Sequence, residues 1–452
     1  MSAPAIDIVA SALDRLAGEG PLGLACSGGG DSLALLLIAG RWARQSGRAL
    51  HILTVDHCLR PESTGEARFV AETAARLGWP CDILRWDDAR GGSGLQARAR
   101  AARHRLLASA ARRHRLSAVM LAHTRDDQDE TVCMRLAAGG SWRSAAAMAE
   151  RAPSPAWPEG REVMLVRPCL AVSRADLRAS LEADGAAWIE DPSNQDAHYA
   201  RIRTRQTLAQ LNDRGFDTGR FAALATDLRA MLDAERLAAW QAARTCLRLH
   251  PWGAIDLAPD RWSRLPPVLR LTLLEAAVMA VSGQPASPSR ARLIPLDGAI
   301  LAGRPASGCG VLVRPGARVW LIRDGGAVSG RVDREPPSPW IEEEAGTAVF
   351  DGRFVIDGRA RELEWRLLGD TYEGLTDRAI LDSVPGPARS GLLVGRDAGS
   401  VVVIAGLGNP VSAEGGVAVG GAIEVRSLIE HRFCRRLLPH GAARWFDETE
   451  RA

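Results

Sequence analysis

Between Leu22 and Ala138 short apolar runs alternate with helix-like segments: LGLAC, LALLLIAGRWA, LHILTVD, EARFVAETAARL, CDILRW, LQARARAARHRLLASA, SAVMLAH and ETVCMRLAA. That alternation predicts a parallel sheet wrapped by helices, an α/β fold. Open sheets of this kind bind ligands outside the carboxyl ends of their strands, so the loops after LGLAC, LTVD and VMLAH carry the first functional information. A proline-rich stretch, APSPAWPEG, interrupts the pattern before a last αβ-like passage through VMLVRPCL and ADLRASLEADG to the loop EDPSN.

With 452 residues the chain is too long for one ordinary core. A catalytic domain is expected over 1–211, a mainly helical middle domain over 212–325, and a smaller strand-rich, mixed α/β module over 326–452. In the middle stretch the apolar spacing is mainly helical as far as about Gly283. Beyond it VLVRPGARVWLIRDGG reads as a hairpin, with further strands near Phe350–Ile356, Leu363–Leu367 and Val401–Ile404.

Composition excludes several chemistries. The formal net charge is only +3, and every cation is arginine, because the sequence contains no lysine. A Walker A lysine, a Schiff-base lysine and an adenylyl-lysine nucleophile are therefore impossible, and any amine nucleophile must arrive with a substrate. The eight cysteines are scattered, without a CxxC pair or a Cys/His cluster at metal-ligand spacing, which fits reduced thiols in the cytoplasm. No secretory leader and no stretch near the ~20 apolar residues of a membrane span is present, so no membrane partner is expected.

The most specific string is Ser27-Gly28-Gly29-Gly30-Asp31-Ser32, between an apolar strand and an apolar helix. Consecutive glycines permit positive φ and close backbone approach, so that amides and the positive end of the helix can surround an anion. Asp31 repels a phosphate unless Mg²⁺ bridges the two, so it is the candidate metal ligand. The bland alternative is a glycine turn in which serine and aspartate merely cap the helix.

SGGxDS resembles the PP-loop of the N-type ATP pyrophosphatases, which cleave ATP between the α and β phosphates. VDHCLRPES (Val55–Ser63) and AHTRDDQDETVCMRLAAGG (Ala122–Gly140) resemble the VDHGLRPES and AHHxDDQxETxLMRLxRG segments of the lysidine synthetases, the tRNA(Ile)-lysidine branch of that superfamily. Cys58 stands where glycine is usual, and Thr124 where a second histidine is common. The likeness covers roughly residues 20–210 well; the rest resembles the family's tRNA-binding C-terminal region loosely, through phrases such as VVVIAGLGN, which implies tRNA binding by the middle domain, 212–325.

The resemblance implies a PP-loop catalytic domain and an enzyme using ATP and Mg²⁺. In that family the C2 carbonyl oxygen of the wobble cytidine of the CAU-anticodon isoleucine tRNA is adenylated, and free L-lysine displaces AMP. It implies ATP contacts at Ser27, Gly28, Gly29, Gly30, Asp31, Ser32, Asp56 and Arg103, and a catalytic set of Asp31, Asp127, Glu130, Arg100 and His123. Asp126, Asp127 and Glu130 fall in the first turns of a helix at spacings of three and four, where clustered acids suit an ammonium group or a metal. The opposing reading is that Thr124 caps this helix and the acids only complement its dipole. Arg100 and Arg103 match an ARxxRY phrase, with His104 in the tyrosine place. Arg201, Arg203 and Arg205 suit tRNA phosphates, or alternatively surface ion pairs; HRFCRR near Phe433 is a weaker basic patch. The rivals are a tRNA-thiolating PP-loop enzyme, which needs paired cysteines, an amidotransferase-type PP-loop synthetase, which needs an N-terminal cysteine nucleophile and a glutaminase segment, and a noncatalytic tRNA-binding protein. The oligomeric state is left open, a homodimer included.

Overall fold

A computed structural model describes residues 3–87, 94–190, 200–328, 340–342, 347–357, 362–369, 371–375, 378–407 and 425–438. Two compact units result, Met1–Asp233 and Ala234–Ala452.

In the first unit the elements are α1 Ala3–Leu16, β1 Leu22–Ala25, α2 Gly30–Gln45, β2 Leu50–Asp56, α3 Ser63–Arg76, β3 Cys81–Arg85, α4 Leu95–Arg113, β4 Ala118–Met120 and α5 Arg125–Ala137. They continue with α6 Trp142–Ala145, β5 Arg151–Pro153, β6 Met164–Val166, α7 Arg174–Ala183, α8 Ala200–Asp213 and the start of α9, Arg220–Cys246. The sheet order is β3-β2-β1-β4-β6-β5; all neighbours run parallel except the edge pair β5 and β6. The expected parallel α/β architecture is thus present. Leu22 and Leu24 of β1 are fully buried, which matches a central strand covered on both faces.

Strand order decides where the site lies. From β1 the chain goes to β2 on one side, and β4 pairs with β1 on the other, with Leu22 opposite Ala118 and Leu24 opposite Met120. The crossovers therefore diverge between β1 and β4, and the glycine loop and the AHTRDD loop emerge beside each other at that switch point.

The second unit contains β7 Leu247–His250, β8 Ala254–Leu257, α10 Pro259–Arg264, α11 Pro267–Ser282, α12 Arg290–Leu301, β9 Ala306–Gly308, β10 Val311–Arg314 and β11 Val319–Arg323. There follow β12 Trp340–Glu342, β13 Thr347–Phe350, β14 Phe354–Asp357, β15 Glu364–Leu367, α13 Gly386–Arg389, β16 Leu393–Asp397, β17 Ser400–Ile404, β18 Val425–Ser427 and α14 Ile429–Leu437. The predicted hairpin is β10–β11, with Val311 opposite Arg323. Between Leu211 and Gly283, however, the chain is not helical throughout. CLRLHPWGAIDL forms the antiparallel hairpin β7–β8, because Leu247 and Leu249 point inward while Arg248 points out, and the Pro251–Gly253 turn reverses the chain. The run from Phe350 to Ile356 is likewise broken, by the turn Asp351–Arg353.

HRFCRR is largely structural. Arg432 is buried and donates to the carbonyls of Gly283 (3.0 Å) and Gln284, Arg436 pairs with Glu275, and Phe433 lies in the core with Ile429 and Leu437. Most of EDPSN, from Asp191 to Asn194, and Gly408 and Asn409 of VVVIAGLGN lie outside the described residues.

Candidate active site

The loop Cys26–Gly29 joins β1 to α2, and Gly28 has φ +85°. A Cβ at Gly28 would lie 2.7 Å from Ile189 Cδ1, whose residue also donates its amide to the Gly28 carbonyl at 2.9 Å. The positive φ favours glycine there, and a side chain would also have to displace the tip of Ile189. No side chain caps α2. The capping alternative therefore fails for this helix, and its first amides are left for an external acceptor. Ser32 instead stitches the loop: its Oγ accepts from the Ser27 amide (3.2 Å), lies 3.3 Å from Ser27 Oγ and donates to the Gly29 carbonyl (2.9 Å).

Asp31 is the second residue of α2, directly after the loop. Its Oδ2 accepts from Arg174 Nε at 3.1 Å, whereas Oδ1 is buried with no partner among the described residues. Burial raises the Asp31 carboxyl above the ordinary aspartate range despite Arg174. An oxygen that is short of partners beside an open helix terminus suits a cation brought in with phosphate.

At the adjacent loop Thr124 does cap α5: its Oγ1 accepts from the Asp127 amide (3.4 Å), and its own amide donates to Asp127 Oδ2 (2.8 Å). Capping accounts for only one Asp127 oxygen. The other accepts from Arg174 Nη2 and Arg201 Nη2, both at 2.9 Å. Glu130 accepts from Arg201 Nε (2.5 Å) and Arg205 Nε (2.8 Å), with Arg174 Nη1 at 3.5 Å. Burial alone would raise the Glu130 carboxyl, but the bonds from Arg205 and Arg201 outweigh it and hold the group below the usual range. Arg201 and Arg205 are thus the ion-pair partners of the acids, while Arg203 is exposed on the same helix.

Arg174 was not visible as a site residue in the sequence. It starts α7 after the N-cap Ser173, donates its amide to Asp126 Oδ2 (2.8 Å) and spreads its guanidinium over Asp31, Asp127 and Glu130. Burial disfavours its charge, but the three carboxylates more than reverse that and fix it as a cation. The pattern Ser173-x-x-Asp176 announces a helix start. Nothing local announces which acids that helix will face.

The glycine loop, Asp31, Asp127, Arg174, Arg201 and Arg205 line a cavity of about 630 Å³ that also includes Arg103, His123 and Arg178; Glu130 is not on its wall. Five arginines (103, 174, 178, 201, 205) face three carboxylates (Asp31, Asp127, Glu190) on its wall, an excess of positive charge that favours a polyphosphate. Arg103 makes no hydrogen bond or ion pair among the described residues, so its donors are available. Arg100, one turn earlier, is exposed and outside this lining. His123 Nδ1 is buried with no partner among the described residues; burial, then Arg167 and Arg103, push its pKa well below the ordinary imidazole value, which favours the neutral ring. A neighbouring cavity of about 840 Å³, with Leu53, Val55, His57, Leu59 and Met134 on its wall, shares Ser27, Gly29 and Arg103 with the first and is of a size for a nucleoside.

Asp56 does not line either cavity. It is almost fully buried and accepts from Ser63 Oγ (2.7 Å), Thr64 Oγ1 (2.8 Å) and the Cys58 amide (2.9 Å). Burial alone would raise its carboxyl, yet these donors bring it down to about 2. A depressed acid adds stability above its unfolded pKa and loses it as pH falls through the folded value. Melting temperatures should therefore fall from ~4 to ~2 more steeply for the native chain than for Asp56→Asn.

Cys58 has φ +49°, so the position usually held by glycine does use the left-handed region. An L-residue there costs roughly 1–2 kcal/mol, against roughly 0.5–1 kcal/mol of backbone entropy lost by glycine. Cys58→Gly is expected to raise the melting temperature by about 1–3 °C. A decrease would mean that the Cys58 Sγ contact with Arg85 Nη2 at 3.7 Å outweighs the strain.

Comparison with known proteins agrees with this geometry. Residues 7–212 match the PP-loop domain family. The tRNA(Ile)-lysidine synthase of Ruegeria pomeroyi is 37% identical over 78% of this chain and 84% of its own, and that of Caulobacter vibrioides 33% identical over 95% and 96%. The chain belongs to the tRNA(Ile)-lysidine synthase family. The family member of Bradyrhizobium diazoefficiens is 40% identical over 63% of this chain and 80% of its own. Like the PP-loop family as a whole, this lysidine synthase family member uses ATP. Among its described residues no helix is long and apolar enough to cross a membrane.

Proposed function

We propose that the protein ligates free L-lysine to C2 of the wobble cytidine of the CAU-anticodon isoleucine tRNA, consuming ATP and giving lysidine, AMP and pyrophosphate. The observation that carries this reading is the convergence of the uncapped glycine loop, Arg103 and Asp127 with its arginines on one cavity, in a chain that aligns along its length with tRNA(Ile)-lysidine synthases.

In the first step the C2 carbonyl oxygen attacks the α-phosphorus and pyrophosphate leaves. The loop amides at Gly28, Gly29 and Gly30, with Ser27 and Ser32, hold the phosphates, and Arg103 meets the charge that develops on them. The more apolar neighbouring cavity takes the nucleoside. In the second step the ε-amine of lysine attacks C2, AMP departs with the former carbonyl oxygen, and the nitrogen loses its surplus protons. The chain contains no lysine of its own, which agrees with an amine supplied as substrate.

Asp31 is the residue to hold Mg²⁺, because its Oδ1 lacks a partner among the described residues; the ion supplies charge neutralisation on the leaving pyrophosphate. Asp127 and Glu130 fix Arg174, Arg201 and Arg205 at the cavity wall, and lysine's ammonium enters by exchanging with one of these cations. His123, neutral, orients substrate by hydrogen bonding. Arg100 and Arg203, both exposed, suit tRNA phosphates.

Purified protein mixed with Mg-ATP, labelled lysine and unmodified CAU-anticodon isoleucine tRNA is expected to attach label covalently to the RNA. Pyrophosphate release without attached label would leave ATP activation standing and make the acceptor or second substrate wrong. Neither product at saturating ATP would favour a noncatalytic tRNA-binding protein. A thiolating enzyme would need paired cysteines, and the sequence has no CxxC pair.

A further inference from the structure

Three side chains at the opposite end of the parallel sheet converge without taking part in the cavities described above. His51 is the second residue of β2, Asp82 the second of β3, and His114 follows the last turn of α4. β2 ends at Asp56, so His51 lies roughly 16 Å along the strand from the nucleotide end. His51 Nε2 is 3.1 Å from Asp82 Oδ1, and His114 Nε2 is 2.7 Å from Asp82 Oδ2. The two rings stand almost face to face, with centroids 3.9 Å apart at 30°. One donor atom from each residue can be chosen so that all three lie within 4.8 Å of one another.

We propose that His51, Asp82 and His114 form a binding site for a divalent transition-metal ion of the zinc class, separate from the ATP site. Two imidazole nitrogens and one carboxylate oxygen are a borderline-soft donor set. It suits Zn²⁺, Co²⁺ or Ni²⁺ better than Mg²⁺ or Ca²⁺, which prefer oxygen throughout. Bonds of ~2.0–2.2 Å in a tetrahedral site separate ligand atoms by roughly 3.4 Å, so the observed spacing closes with small side-chain rotations. The side chains are 15%, 25% and 29% exposed, which leaves an entry path and a fourth position for water. Arg113 Nη1 also approaches Asp82 Oδ2, at 3.6 Å, but that arginine is 49% exposed, and an ion pair so open to solvent is weak competition for a doubly charged ion. Bound metal would tie the edge strand β3 and its neighbour β2 to the end of α4, the helix that carries Arg103. At sequence separations of 31 and 32 the ligands form no recognisable motif; adjacent parallel strands and the return of α4 bring them together.

The test uses the full chain, stripped with a chelator and desalted, and titrated with Zn²⁺ by calorimetry and with Co²⁺ by visible absorption. One equivalent is expected, with a ligand-field spectrum of four-coordinate nitrogen and oxygen ligation. His51→Ala and His114→Ala should each weaken Zn²⁺ binding at least about tenfold. Asp82→Asn, which keeps the side chain's shape, should do the same and serves if a histidine variant fails to fold. Asp31→Ala should leave the metal affinity unchanged. Absence of binding overturns the proposal. So does binding that persists at full affinity in a His51→Ala/His114→Ala double variant, or a Co²⁺ spectrum dominated by sulfur charge transfer, which would assign the ion to cysteine thiols.

Discussion

Asp31→Ala is expected to lower tRNA-dependent pyrophosphate release by at least about 10²–10³-fold, while tRNA binding changes by less than about threefold. The carboxylate stands at the mouth of the phosphate loop with Oδ1 unpartnered among the described residues, and burial raises its pKa. A group kept in that condition costs the fold something and returns it only when a ligand arrives. Its removal also takes one partner from Arg174, so the melting temperature is expected to stay within about 2 °C of the native value, or to rise. Pyrophosphate release followed alongside tRNA filter binding and thermal melts separates the two contributions. Equal loss of catalysis and tRNA binding would sink the assignment of Asp31 to the phosphates.

Arg174→Ala is expected to damage both stability and turnover. Breaking a buried ion pair by deleting one partner costs about 3–5 kcal/mol when the remaining charge has no substitute. Here Arg201 still serves Asp127 and Glu130, and Arg205 still serves Glu130, but Asp31 loses its one hydrogen-bonded cation among the described residues. A loss of about 2–3 kcal/mol follows, which for a unit of this size lowers the melting temperature by roughly 5–10 °C. With Arg174 absent, the Asp31 carboxyl moves still higher. An acid whose folded pKa is raised destabilises the fold as pH rises through its range, so the deficit should be smaller in acid than at neutral pH. Turnover should fall about 10²-fold or more, because the guanidinium also orders the cavity wall. Arg174→Lys should restore only part of either quantity, since an ammonium cannot span three carboxylates with a planar fork. A melting temperature within 1 °C of native, with turnover within about threefold, would show that Arg201 and Arg205 suffice.

Much of this was legible in the chain. The alternation from Leu22 to Ala138 is a local signal of period and length, and it gave the parallel sheet. The glycine loop, VDHCLRPES and AHTRDDQDET are contiguous strings, so the family could be recognised from them. Cys58 stands where glycine is usual, and its φ of +49° shows that the position takes the left-handed conformation glycine adopts freely. The hairpin at Leu247–Leu257 was missed because four-residue strands with one alternation each are hard to distinguish inside apolar helical neighbours.

By itself, then, the sequence determined the α/β class, the glycine loop between β1 and α2, the impossibility of lysine chemistry and the family. Tertiary structure decided the partners. Arg174 lies 143 residues from Asp31 and Arg201 lies 74 from Asp127, and strand order alone brings them within hydrogen-bond reach. The arginines after the EDPSN segment became clamps on Asp127 and Glu130 for the same reason, and His51, Asp82 and His114 met across two strands and a helix end. Local propensity is written in neighbouring residues; electrostatic pairing depends on distance through space, which only the folded topology sets.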